Sequence, residues 1–156
     1  MSRRAAAFIG LLALWPAGPE VLAGAPRLTP LALPGGERGV GFDDLVYSAS
    51  LGRVLAPAGR SGRLDLVDPK TFKVEAIGGF TSADRFRGGH GKGTTSADSG
   101  AGLLFATDRD RRMVMLVDPR AKKIVGGAEL AGSPDYVRWV EPQREVWVTE
   151  PDKEGI

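Results

Sequence analysis

Apolar residues along this chain fall in short runs, and glycine, proline or aspartate closes nearly every run. Val54-Leu55-Ala56, Leu64 to Val67, Leu104-Phe105-Ala106 and Val114 to Val117 are the clearest. Runs of this length, bounded by turn residues, predict short strands and not helices. Inner strands are predicted at Leu45 to Ser48 and Tyr136 to Val140, and outer ones at Phe72 to Ile77 and Lys123 to Leu130.

The runs repeat. Val54-Leu55-Ala56 followed by Leu64-Asp65-Leu66-Val67-Asp68-Pro69 returns fifty residues later as Leu104-Phe105-Ala106 and Val114-Met115-Leu116-Val117-Asp118-Pro119, and Lys73-Val74 returns as Lys123-Ile124. A partial third copy matches Asp135-Tyr136-Val137 through Val146-Trp147-Val148 to Asp43-Asp44-Leu45 through Val54-Leu55-Ala56 at an offset of 92. Each full copy has an inner strand, a short turn, a second strand, a polar hairpin (Gly59 to Arg63, Arg109 to Arg112), a third strand ending in Val-Asp-Pro, and a fourth strand. Proline presets its own φ for a turn, and the aspartate before it can accept exposed backbone N–H groups, so Val-Asp-Pro stops a strand.

A four-stranded unit with this spacing is a propeller blade. A blade presents apolar faces on both sides and is stable only when stacked on neighbours. The fold class is therefore all-β, with β-propeller blades as four-stranded antiparallel sheets in an incomplete ring of about two and a half blades. Expected boundaries are 42–80, 88–130 and the start of a third at 134–156. Residues 24–41 form an N-terminal segment in which Thr29 to Leu33 is expected as a lone ring-closing strand. Propellers need about four to eight blades, so a truncated fragment is expected.

Composition supports this reading. The chain has 22 glycines and 11 prolines spread throughout, which suits many turns, and 42% hydrophobic with 26% charged residues is ordinary for a globular protein. Arg3 and Arg4, an apolar stretch from Ala5 to Trp15 and the small residues that follow read as a signal peptide, 1–23, cleaved after Ala23. The stretch is too short to span a membrane, and the expected location is periplasmic or secreted. Removing Arg3, Arg4 and Glu20 with that segment lowers the formal charge from +2 to +1. Basic and acidic residues are interleaved without an aromatic platform, which argues against nucleic acid as a partner. No cysteine is present, so neither a disulfide framework nor a thiol nucleophile enters the argument.

Leu33-Pro34-Gly35-Gly36 before Gly41-Phe42-Asp43, His90-Gly91, Leu116-Val117-Asp118-Pro119, and Ser133-Pro134-Asp135 before Tyr136-Val137 together resemble the YVTN-repeat family of bacterial seven-bladed β-propellers. The resemblance covers nearly all of the chain after residue 23. It implies an exported protein, often without assigned activity, and more distantly related propellers include lactonases and amine dehydrogenase subunits.

The chemistry-bearing residues are few. His90, the only histidine, sits in Gly88-Gly89-His90-Gly91 before a predicted inner strand at Gly91 to Thr95. Asp43 and Asp135 stand at the matching entries of the other copies, so the three would line the channel mouth as ligand-binding candidates. The plainer alternative is that each only satisfies turn backbone. With further ligands out of view, no metal site and no cofactor are assigned. Gly91-Lys92-Gly93-Thr94 fails as a phosphate loop, because Gly93 stands where Ser or Thr must follow the lysine. Asp108 to Arg112 reads as a solvated hairpin whose charges discourage edge pairing. Trp147 aligns with Leu55 and Phe105 and is expected between blades, and Trp139 aligns with Tyr47 and is expected in the core. The function expected is a non-enzymatic binding or scaffold module of the cell envelope, with an unknown protein or small molecule as its ligand. The alternative is a propeller enzyme, such as a lactonase or dehydrogenase subunit, with its site at the channel mouth.

Overall fold

The computed structural model describes residues 28–156, so the expected signal peptide lies outside the described residues. Among the described residues ten strands form three antiparallel sheets. The first sheet holds β1 (Val46–Ser48), β2 (Arg53–Pro57), β3 (Ser61–Val67) and β4 (Val74–Ser82), in chain order. The second repeats that order with β5 (Ala97–Gly100), β6 (Leu103–Asp108), β7 (Met113–Asp118) and β8 (Lys123–Glu129). The third pairs β9 (Val137–Val140) with β10 (Glu145–Val148), before a single short 3₁₀ turn, Pro151–Lys153. All three sheets belong to one unit, Leu31–Ile156. No helix among the described residues is long and apolar enough to cross a membrane.

The repeat is reproduced in the pairing. Leu55 faces Leu66 across the first sheet, and Phe105 faces Leu116 at the same place in the second. Strand alternation then sorts the side chains into two seams. Leu55, Leu64 and Ile77 of the first sheet pack with Leu104, Ala106, Met115 and Val117 of the second. The opposite face of the second sheet, through Phe105 and Val114, packs on Val137 and Val148 of the third. Burying a Leu or Ile completely is worth roughly 1.5–3 kcal/mol, so these seams hold the sheets together as successive propeller blades.

The inner strands run side by side. Ser99 Oγ donates to Ser48 Oγ at 2.8 Å, linking β5 to β1, and Trp139 N donates to Asp98 Oδ2 at 2.8 Å, linking β9 to β5. The Trp139 ring stacks on Phe105 with centroids 5.5 Å apart. Gly100 makes room for it, since a Cβ there would come within 2.2 Å of the indole.

Both Val-Asp-Pro stops work as predicted. Asp68 Oδ1 accepts from Lys70 N at 2.8 Å and Thr71 N at 3.0 Å, and Asp118 Oδ1 accepts from Arg120 N and Ala121 N at the same two distances. These N–H groups hold each carboxyl below its ordinary value.

Two expectations are corrected. The inner strand predicted at Gly91 to Thr95 forms instead at Ala97–Gly100, because Gly93 adopts φ +68°, outside strand geometry. The lone strand expected at Thr29 to Leu33 has no partner among the described residues to pair with, and Leu31 and Leu33 line a cavity of about 310 Å³ against Leu45, just before β1, and Val54 of β2. Trp147 occupies an inter-blade position on the far face of the third sheet, but no described sheet covers it and it is 47% exposed.

Candidate functional site

Three separate connections deliver the candidate residues. Asp43 lies just before β1, and Asp135 just before β9. The pairing Asp98↔Phe105 beside Val46↔Leu55 and Trp147↔Arg138 puts Thr95, not His90, at the place equivalent to Asp43 and Asp135. Thr95 is fully buried, and its backbone N–H and hydroxyl both lie 3.3 Å from Thr107 Oγ1. His90 comes from the connection 83–96, which is seated by close backbone approaches: a Cβ at Gly41 would lie 2.6 Å from Gly89 O, and one at Gly39 would run into the Phe86 ring.

The structure nonetheless brings all three together. One ligand atom from each of Asp43, His90 and Asp135 lies within 4.8 Å of the others. His90 Nδ1 is 2.9 Å from Asp43 Oδ2. That oxygen is buried, and His90 Nδ1 is its polar contact among the described residues. Asp43 Oδ1 takes a long contact, 3.5 Å, from the Tyr136 hydroxyl. The Asp43 carboxylate in turn pushes the Tyr136 phenol above its ordinary value, which keeps it a donor.

Neighbouring carboxylates are satisfied differently. Asp135 Oδ1 pairs with Arg109 Nη1 at 2.6 Å. Asp44 Oδ2 accepts from Arg138 Nη1 at 2.7 Å and from Ser96 Oγ at 2.8 Å, and Ser96 Oγ also accepts from Val137 N at 3.1 Å. The entries of three blades are thereby tied into one network. Of the three mouth carboxylates, Asp43 alone has no guanidinium partner among the described residues and is paired with the His90 imidazole instead.

Comparison with known proteins gives the fold and no more. No family model matches this chain, and no curated protein is similar to it in sequence. Among solved structures it is similar to the hydrazine synthase of Kuenenia stuttgartiensis, at 14% identity and a TM-score of 0.57 over 83% of this chain and 32% of that one. It is also similar to the glutaminyl cyclase of Myxococcus xanthus, at 15% identity and a TM-score of 0.47 over 67% of this chain and 48% of that one. The likeness to the first of these supports a propeller-type fold. The chain spans about a third of the first protein's length and about half of the second's.

Sequence reading missed Asp44, Ser96, Arg109, Tyr136 and Arg138. A usable signal existed for Arg138: it takes the place of apolar Val46 in the repeat, and a charge at such a position needs a partner. The hairpin Asp108 to Arg112 is exposed at its tip, as expected, but its base is structural. Asp108 is fully buried and accepts from Thr81 N of the first sheet at 2.8 Å. Arg109 holds Asp135, Asp110 accepts from Gly93 N and Lys92, and Arg111 donates to Gly79 O at 2.9 Å.

Proposed function

We propose that this protein is an exported binding module of the cell envelope, a propeller of the YVTN-repeat type, whose ligand meets Asp43, His90 and Asp135 at the mouth of the channel. One observation carries the reading. Asp43 Oδ2, a buried carboxylate oxygen 2.9 Å from the His90 imidazole, lies close to a second carboxylate, the three groups being delivered by three different connections. A rigid stack of sheets holding such a group between adjustable loops suits recognition. The ordering of charge, apolar run and small residues in 1–23 supports export.

The spacing of the ligand atoms favours a second reading, a propeller enzyme. Two carboxylates and an imidazole within 4.8 Å of one another form a donor set that a divalent transition cation accepts. Metal analysis of the purified protein separates the two readings. A stoichiometric divalent ion, lost in His90→Ala, favours the enzyme. A metal-free protein whose melting temperature still rises with a ligand, and does so only while Asp43 is intact, favours the binding module. Fusion of residues 1–23 to a reporter active only outside the cytoplasm checks export separately, and an inactive fusion overturns that part.

A further inference from the structure

Beyond the carboxylate cluster, on the far side of His90, lies a cavity of about 280 Å³ with the opposite electrostatic character. Its walls carry Arg60, Arg85, Arg87, His90 and Lys92 together with the backbone of Gly88 to Gly91, and no carboxylate lines it. Arg60 is the decisive residue. It is only 6% exposed, yet its guanidinium has no carboxylate within ion-pair distance among the described residues. Its terminal nitrogens donate to two backbone carbonyls, Ala83 O at 3.3 Å and Gly35 O at 3.4 Å, and its Nε is buried without an acceptor. A buried full positive charge answered only by carbonyl dipoles is costly unless an anion completes it.

Val40, Ala83 and Phe86 add apolar wall, and the polar remainder is built to the same end. Arg85 and Arg87 are exposed at the rim and form no ion pair among the described residues, whereas Lys92 is held by Asp110 at 2.6 Å. None of the N–H groups from 84 to 92 donates to a protein acceptor among the described residues. Two successive glycines, Gly88 at φ +86° and Gly89 at φ +66°, turn the chain there, and successive free amides in a turn form an anion-binding concavity. Guanidinium forks match the oxygens of a tetrahedral oxyanion two at a time. The volume is several times the roughly 30 Å³ share of one water, so the anion can bring a small organic group with it.

We propose that this cavity binds a small phosphate-bearing anion, with Arg60 at its base, Arg85 and Arg87 at its rim and the Gly88–Gly89 turn offering backbone donors. The site is separate from the Asp43 and Asp135 carboxylates and touches them only through His90.

Calorimetric titration of the purified protein with inorganic phosphate, and in parallel with glycerol phosphate, tests it. One saturable equivalent is expected, weakened about tenfold for each rim arginine removed, in Arg85→Gln, Arg87→Gln and their combination. These exposed positions leave the fold intact, so they decide the matter even if Arg60→Gln does not fold. Tighter binding of the ester identifies an organic phosphate as the ligand class, and equal binding identifies phosphate itself. Absence of saturable binding at millimolar phosphate, or undiminished binding in the double rim variant, overturns the proposal. Asp135→Asn lies outside the cavity and should bind phosphate normally, so a failure of the carboxylate site is read independently.

Discussion

Among the described residues two connections run from one sheet into the inner strand of the next, and they solve the same problem in different ways. The short one, 130–136, runs directly from β8 to β9 and is pinned at once: Ser133 N donates to Asp152 Oδ1 at 2.9 Å, and Asp135 N to Thr149 O at 2.9 Å. It delivers Asp135 at the place the repeat dictates. The long one, 83–96, leaves the sheet, exposes Arg85, Phe86 and Arg87, carries His90 over Asp43, and returns through Gly93 pressed against Gly59. It fills the repeat position with Thr95, a buried core residue, and supplies its chemistry from outside the repeat. The lesson is that the blades fix where the mouth lies, whereas the excursion decides what the mouth contains.

The strongest way to break that contrast is Gly93→Ala. A Cβ there would lie 2.2 Å from Gly59 O and 2.6 Å from Thr81 O, both backbone atoms, at a φ of +68°. The return of the long connection cannot shift without moving backbone at two places in the first sheet, the β2–β3 turn and β4, and a loss of more than about 3 kcal/mol in denaturant unfolding is expected. Gly132→Ala on the short connection meets only the side chains of Asp152 and Lys153, so relief needs no backbone shift, although moving Asp152 gives up its hydrogen bond from Ser133 N. Its expected cost is about 1–1.5 kcal/mol. Equal losses would remove the distinction.

A smaller effect comes from Asp108→Ala. This carboxylate is buried beneath the point where the long connection departs, and its removal leaves Thr81 N without an acceptor. A loss of about 1–3 kcal/mol is expected, with faster hydrogen exchange at Thr81 and unchanged exchange in β9 and β10. Exchange that rises equally in all three sheets would show that the hairpin does not act locally.

The smallest effect should be indifferent to the connections. Asp68 and Asp118 close equivalent turns, and backbone N–H groups hold both carboxyls below the ordinary 3.8. A carboxyl depressed in the folded state contributes stability that is fully present above 3.8 and is lost as pH falls through the lower folded value. Asp68→Asn and Asp118→Asn should therefore flatten the acid limb of melting temperature against pH, and by the same amount. Unequal flattening would mean that the two blades are not equivalent even in their turns.

The fold was largely legible in the sequence, because the fifty-residue echo carries both strand alternation and strand stops. Leu55 and Phe105 could be matched without a gap, and each faces the next blade. The site was legible in part. Asp43 and Asp135 sit in register with the repeat, so their meeting followed from alignment. His90 was found by its rarity and its glycines, and it reaches the mouth by a route the repeat does not encode. The arginines were barely legible: Arg138 gave a signal by standing where the repeat has Val46, but the carboxylates that Arg109 and Arg138 meet are brought beside them only by the packing of neighbouring blades, and Arg60 stands out only once its burial is known.

The central claim is that β1 and β5, far apart in the chain, lie side by side as inner strands of neighbouring blades. Since the chain has no cysteine, Ser48→Cys with Ser99→Cys tests this without background, their hydroxyl oxygens being 2.8 Å apart. Mild oxidation of the folded protein should give an intramolecular disulfide in nearly every molecule with the circular dichroism unchanged. A folded protein that keeps two free thiols under those conditions would contradict the account.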